Sequence, residues 1–175
     1  MSGSSGFALW ITGMPASGKS SVARELVQQL KERKAPVVIL ESDRMRTILT
    51  PNATYGEEER DRFYETLVLF GDLIVKSGVN VIFDATANRR AYRQRARALI
   101  PRFVEVYIQC PLDVCMGRDP KGIYRSAQKG EKTTVPGLQS PYEPPVNAEV
   151  LLDCRNPPEA GVALILDKLK QLLYI

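Results

Sequence analysis

Two hydrophobic rhythms alternate along this chain. Residues 7–12, apolar from Phe7 to Ile11, predict a buried β-strand, and residues 21–27 place apolar side chains at helical spacing. The alternation then repeats. A strand over 36–40 follows the charged helix end Lys31-Glu32-Arg33-Lys34. A long helix over 57–76 carries Phe63, Leu67, Phe70 and Ile74 as its core stripe, with Ser77-Gly78 as its stop. A strand over 79–83 ends in Asp84, a helix carrying Arg89, Arg90, Arg93, Arg95 and Arg97 comes next, and a strand covers 103–110. A short strand over 149–153 and an amphipathic helix opened by Pro157-Pro158 complete the pattern. Strands that alternate with helices predict an α/β fold: a mostly parallel five-stranded sheet with helices on both faces.

Two stretches depart from the rhythm. Residues 118–145 are polar and rich in Gly and Pro, and a segment of that length reads as a lid over a site or as a disordered loop. Residues 1–6 read as a flexible lead-in to a single domain spanning 1–175.

The join between the first strand and the first helix carries the chemistry. Gly13-Met14-Pro15-Ala16-Ser17-Gly18-Lys19-Ser20 fits the G-x-x-x-x-G-K-[ST] pattern of a P-loop, with a strand before it and a helix after it, so the fold class is a P-loop NTPase. Glycine lets the backbone turn tightly enough for several N–H groups to face one phosphate, and the helix start adds its positive dipole end. Lys19 is placed to reach the outer phosphates, and the Ser20 hydroxyl to take Mg²⁺. The competing reading is a glycine-rich turn that holds no ligand.

Composition narrows the chemistry. The chain has no histidine, so any general base is a carboxylate and any metal ligand an oxygen. Two acids stand where strands end: Asp43, just after the second strand, and Asp84, at the end of the third. In open α/β sheets ligands bind at that edge. Asp43 is also a candidate helix cap. Cys110, Cys115 and Cys154 form no C-x-x-C pair, which suits a reduced, cytoplasmic setting with cysteines as core filling. A net charge of +4 suits a small anionic substrate, while nucleic acid is disfavoured and no apolar run reaches membrane-spanning length. Arg89, Arg93 and Arg97 share one helical face, which reads as a solvated face or as a hint of nucleic-acid end processing.

With these residues in view, the chain resembles the adenylyl-sulfate kinase family. Leu9-Trp10-Ile11-Thr12 and the P-loop resemble the family's opening; Arg118-Asp119-Pro120-Lys121-Gly122-Ile123-Tyr124 its lid entry; Ser140-Pro141-Tyr142-Glu143-Pro144-Pro145 and Leu151-Leu152-Asp153 its lid exit and last strand. The resemblance implies transfer of the ATP γ-phosphate to the 3′-hydroxyl of adenosine 5′-phosphosulfate, with Mg²⁺ as cofactor, ATP as co-substrate and a possible homodimer. It implies that Asp43 orients or deprotonates the acceptor hydroxyl, that Ser20, Asp43 and Asp84 serve the metal, and that Ser21 extends the ATP site. Arg118 and the Asp153-Cys154 turn would flank the ATP base, with Arg46, Tyr55, Arg60 and Arg90 on the substrate side.

This chain departs from the family pattern mainly on the acceptor side. It has Glu41-Ser42-Asp43 for Asp-Gly-Asp, Phe63 for an asparagine, Glu65 for a substrate arginine, Ala87 for a serine, and Val135 for a lid phenylalanine. Glu65 would reverse the charge offered to an anionic acceptor. The same scaffold acting on another nucleotide-linked or small-molecule acceptor is therefore the alternative reading.

Overall fold

The computed structural model describes residues 6–175. Five strands run in one direction: β1 (Ala8–Thr12), β2 (Val37–Glu41), β3 (Asn80–Asp84), β4 (Phe103–Gln109) and β5 (Val150–Asp153), in the order β2-β3-β1-β4-β5. The helices are α1 (Lys19–Glu32), α2 (Ser42–Leu49), α3 (Glu57–Lys76), α4 (Arg90–Leu99), α5 (Leu112–Arg118), α6 (Ile123–Gln128) and α7 (Pro158–Gln171). The all-parallel sheet with helices on both faces agrees with the fold expected from the sequence.

The pleat of β1 shows why two cores form. All five of its residues are buried, as expected for a central parallel strand. Leu9 and Ile11 face a core built with Leu26 and Leu30 of α1 and Ile165 and Leu169 of α7. Ala8 and Trp10 face the opposite core, with Phe63 and Leu67 of α3 and Ala96 of α4. Trp10 stacks on Phe83 at 4.5 Å, and its indole N–H donates to the Ala85 carbonyl at 3.0 Å, so its one polar atom is satisfied inside.

Every strand points its carboxyl end at one edge. The P-loop leaves β1 there, α2 begins there with Asp43 in its first turn, and Asp84 ends β3 opposite Glu41 of β2. The cleft is thus a consequence of parallel topology.

Several expectations change. Gly6 is not a loose lead-in: it is buried, and its N–H donates to Val75 at 3.0 Å. Residues 1–5 of the expected flexible terminus lie outside the described residues. The 118–145 stretch is structured. It starts on the last residue of α5, contains α6, and buries Val135 in the α1–α7 core. At seven and six residues, α5 and α6 are too short to show a helical period, which is why neither was legible.

The arginine face of α4 is only partly solvated: Arg89 and Arg97 are half-buried and Arg93 is fully buried. Arg93 is 1% exposed and pairs with Glu105 of β4 at 2.6 Å, because a buried guanidinium needs a carboxylate and carbonyls around it. Arg97 forks onto Glu149 at 2.6 and 2.8 Å, and Arg89 pairs with Glu57 and Asp61. These pairs occupy the charges that a nucleic-acid surface would need free.

Candidate active site

The P-loop builds its half of the cleft from backbone. Gly13 takes φ 155°, and a Cβ there would lie 2.7 Å from Ser17 Oγ and 2.9 Å from the Ile108 carbonyl. Ala16 at φ 64° and Gly18 at φ 106° complete the turn that starts α1. Ser17 Oγ is buried beneath the loop with no hydrogen-bond partner among the described residues. Lys19 folds over the loop, its ammonium donating to the carbonyls of Gly13 at 3.0 Å and Met14 at 2.9 Å. Burial pushes its pKa below the ordinary lysine value, against the opposing pull of Asp84 and Asp43.

Around this loop lies a cavity of about 940 Å³, large enough for two nucleotide-sized ligands. Pro15, Ala16, Gly18, Lys19, Ser20 and Ser21 line one side, while Asp43, Arg46, Tyr55, Arg60 and Asp84 line the other. Gly13, Met14 and Ser17 form the underside of the loop rather than the cavity wall. Lysines and arginines outnumber carboxylates along the lining, which favours anionic ligands.

The acceptor half is assembled from distant segments. Arg46 is buried with its guanidinium 3.9 Å from the Phe63 ring centroid and 4.9 Å from that of Tyr55, and it pairs with Glu59 at 3.2 Å. Burial pushes the Glu59 carboxyl up, but hydrogen bonds from Thr54 and Tyr55 and the Arg46 charge outweigh it and leave the pKa lowered. Arg60 donates to the Thr134 carbonyl at 2.7 Å and so ties α3 to the lid. Phe63, standing where the family has asparagine, is the floor beneath Arg46.

The lid is fastened at both ends. At its entry Tyr124 donates to the Pro15 carbonyl at 2.9 Å, and Lys121 meets the Asp43 carboxylate at 2.5 Å. At its exit Arg93 donates to the Glu143 carbonyl at 2.6 Å, and Asn88 to that of Pro141 at 3.1 Å. Arg118 lines the cavity and donates to the Cys154 carbonyl at 2.8 Å, which brings these two sequence-selected residues together. The Cys154 side chain is buried below the cavity, and burial pushes its thiol up to about 11.

Three sequence-selected features move. Arg90 begins α4 with its side chain exposed and outside the cavity lining; its backbone N–H donates to the Glu143 carboxylate at 2.8 Å. Glu65 is likewise outside, on the exposed face of α3, paired with Arg95 at 3.4 Å, so it reverses no charge within the cleft. Asp43 is not a helix cap: Glu41 holds the cap position of α2 and makes no side-chain cap bond.

Sequence reasoning missed Tyr64, Thr86, Asn88, Lys121 and Thr134, all on the cavity wall. Tyr64 was hidden as an apparent core aromatic. Its hydroxyl accepts the Ala87 N–H at 3.0 Å and so holds the β3–α4 loop to α3. Lys121 stood in the lid-entry stretch and was the most legible of the five.

Comparison with known proteins agrees with this arrangement. The profile of the family described as adenylylsulphate kinase matches residues 5–153. The adenylyl-sulfate kinase of Gloeothece citriformis is 38% identical over 173 residues, covering 97% of each chain. The probable adenylyl-sulfate kinase of Pyrococcus abyssi is 36% identical over 171 residues, 97% of this chain and 98% of that one. Among solved structures, the Mycobacterium tuberculosis APS kinase in complex with AMPPNP and APS superposes with a TM-score of 0.90 at 30% identity, covering 95% of this chain and 98% of that one. A match across most of the chain, in both sequence and structure, places this protein in the adenylylsulphate kinase family.

Proposed function

We propose that this protein transfers the γ-phosphate of ATP to the 3′-hydroxyl of adenosine 5′-phosphosulfate. The observation that carries the reading is the convergence, in one cavity, of the P-loop with Asp43, Arg46, Tyr55 and Arg60. The relative solved with AMPPNP and APS supports it, and so does the position of Glu65 outside the cleft.

In this reading the P-loop amides and Lys19 hold the triphosphate and stabilise charge on the transferring group. Asp43 orients the acceptor hydroxyl and receives its proton. Arg46, Arg60 and Tyr55 position the anionic acceptor. Arg118, braced on the Cys154 carbonyl, flanks the ATP base. Phosphoryl transfer is loose, so positioning and charge stabilisation account for most of the catalysis.

A Mg²⁺ ion fits the donors present: the Ser20 hydroxyl and the Asp84 and Asp43 carboxylates are hard oxygen ligands lining the same cavity. When bound, it would neutralise phosphate charge. Ala87 stands 0% exposed with its N–H engaged and offers no hydroxyl, so this position carries no phosphate during transfer. Leu69 and Leu73, exposed together on α3, fit burial in a homodimer. Among the described residues no helix is long and apolar enough to cross a membrane, and the three cysteines are unbonded, as in a cytoplasmic enzyme.

A different acceptor is favoured by one observation. Val135 sits at the lid position for a stacking ring, 4% exposed and packed into the core, so a purine there loses roughly 1–3 kcal/mol of stacking. An acceptor panel with labelled ATP separates the two readings. The proposal expects the highest kcat/KM with adenosine 5′-phosphosulfate; a higher value with another hydroxyl acceptor would replace it.

A further inference from the structure

We infer that Tyr64 is an acceptor-binding residue: its phenol O–H joins Arg46 and Arg60 as the third donor of a subsite for a tetrahedral oxyanion, the phosphosulfate group of the acceptor. The inference rests on the proposed function and deepens it, because it adds an uncharged donor that fixes how that anion is oriented.

The ring of Tyr64 is held from several sides. It is 6% exposed, stacks on Tyr92 at 4.4 Å, meets Phe63 edge-on at 5.2 Å and lies 6.3 Å from Trp10. Tyr92 is itself tethered, its hydroxyl donating to Asp61 at 2.7 Å. Arg60 precedes Tyr64 by one helical turn of α3, so the two share a face. Arg46 of α2 brings its guanidinium 5.9 Å from the Tyr64 ring centroid. All three residues line the cavity that holds the P-loop. The held ring therefore presents its hydroxyl at the cavity wall, beside both arginines.

The hydroxyl's own bonding decides its use. A phenol oxygen carries two lone pairs and one hydrogen. The Ala87 N–H donates to that oxygen at 3.0 Å. Burial pushes the phenol pKa above its ordinary value, against the pull of the Arg46 and Arg60 charges and the Ala87 N–H, so the group keeps its hydrogen at neutral pH. With positive groups gathered on the lone-pair side, the O–H points away from them. Among the described residues no carbonyl or carboxylate accepts it. A buried donor takes an acceptor, and here the acceptor has to come from the cavity. Its class follows from the neighbours: beside two guanidinium groups, an anionic oxygen is favoured over a neutral one. Arg46 is already paired with Glu59 at 3.2 Å, so its charge is shared before any ligand arrives. A neutral hydroxyl adds a directed bond to the same anion without adding charge. On its other side the oxygen holds Ala87, which sits at φ 43°, so the residue has a duty to the β3–α4 loop as well as to the ligand.

The test has to separate those two duties. Tyr64→Phe keeps the packed ring and removes the hydroxyl. Calorimetry compares its binding of adenosine 5′-phosphosulfate with its binding of adenosine, which lacks the anion. Loss of a hydrogen bond to a charged group should weaken binding of adenosine 5′-phosphosulfate about ten-fold or more. Adenosine binding and the KM for ATP should each change less than about two-fold. In an Arg60→Met background the same substitution should cost less than it does alone, because the two donors share one anion. Equal weakening for both ligands would show a loosened Ala87 loop only, and it overturns the inference. So do unchanged affinity for adenosine 5′-phosphosulfate in Tyr64→Phe and losses that simply multiply with Arg60→Met. These results leave the proposed function standing if the wild-type enzyme phosphorylates adenosine 5′-phosphosulfate. A wild-type enzyme that binds this compound without phosphorylating it overturns the proposed function, while the ratio of affinities still decides the role of Tyr64. One that does not bind it overturns both.

Discussion

The two halves of the cleft are made in different ways. The nucleotide half is eight consecutive residues whose backbone does the work, with φ of 155° at Gly13, 64° at Ala16 and 106° at Gly18, and with Lys19 bonded to carbonyls five and six residues away. The acceptor half is stitched across the chain. Lys121 reaches Asp43 over 78 residues, Arg60 reaches Thr134 over 74, and Arg93 reaches Glu143 over 50. A local device survives as a motif because its parts keep fixed spacing. A stitched site keeps its function only if each distant partner is placed by the fold, so its residues can change singly while the cavity persists.

The sharpest way to break this comparison is to cut the stitch that holds the most. Arg93 is buried against Glu105 and bonded to the carbonyls of Ala87, Arg89 and Glu143. Arg93→Met leaves Glu105 with only the partly exposed Arg97 at 3.5 Å and frees the carbonyls that Arg93 satisfied, and should destabilise the protein by about 3 kcal/mol, read by chemical denaturation. At a temperature where the variant stays folded, ATP should still bind through the P-loop.

Lys19→Ala attacks the local half instead. It should lower kcat by about 10²–10³-fold, roughly 2.7–4 kcal/mol of transition-state stabilisation, with little change in Tm. Arg60→Met is milder. It removes one lid tie and one acceptor-side cation, and should raise the acceptor KM about ten-fold, near 1.4 kcal/mol, while the KM for ATP is unchanged.

The smallest effect concerns pH. Burial pushes the Glu149 carboxyl up, but the Arg97 fork and the Glu105 N–H outweigh it, so its pKa is lowered from 4.5. A carboxyl depressed on folding adds stability above its unfolded pKa and loses it as pH falls through the folded pKa. Glu149→Gln should therefore lower Tm at pH 7 by an amount that begins to shrink as the pH is taken below about 4.5 and vanishes only below the depressed pKa of the folded state, where the wild-type carboxyl is protonated as well.

What the sequence made legible follows the same division. The P-loop, the parallel sheet and the acids at strand ends were readable because each depends on neighbours in the chain. The roles of Arg90 and Glu65 were not, because facing the cleft or facing solvent depends on how α3 and α4 sit on the sheet. The arginines of α4 looked solvated because their carboxylates lie far along the chain, Glu57 on α3, Glu105 on β4 and Glu149 in the loop just before β5. Tyr64 and Val135 show the opposite error of scale: single apolar-looking residues whose packing decides the shape of the acceptor wall.

The most direct test of the account is a crystal structure of this protein with AMPPNP and adenosine 5′-phosphosulfate. The account predicts the phosphates of the nucleotide analogue on the amides of residues 13–20, and the 3′-hydroxyl of adenosine 5′-phosphosulfate within hydrogen-bond reach of Asp43, with Arg46 or Arg60 on its anionic group. Adenosine 5′-phosphosulfate bound with its 3′-hydroxyl away from Asp43, or outside the cavity shared with the P-loop, would contradict it.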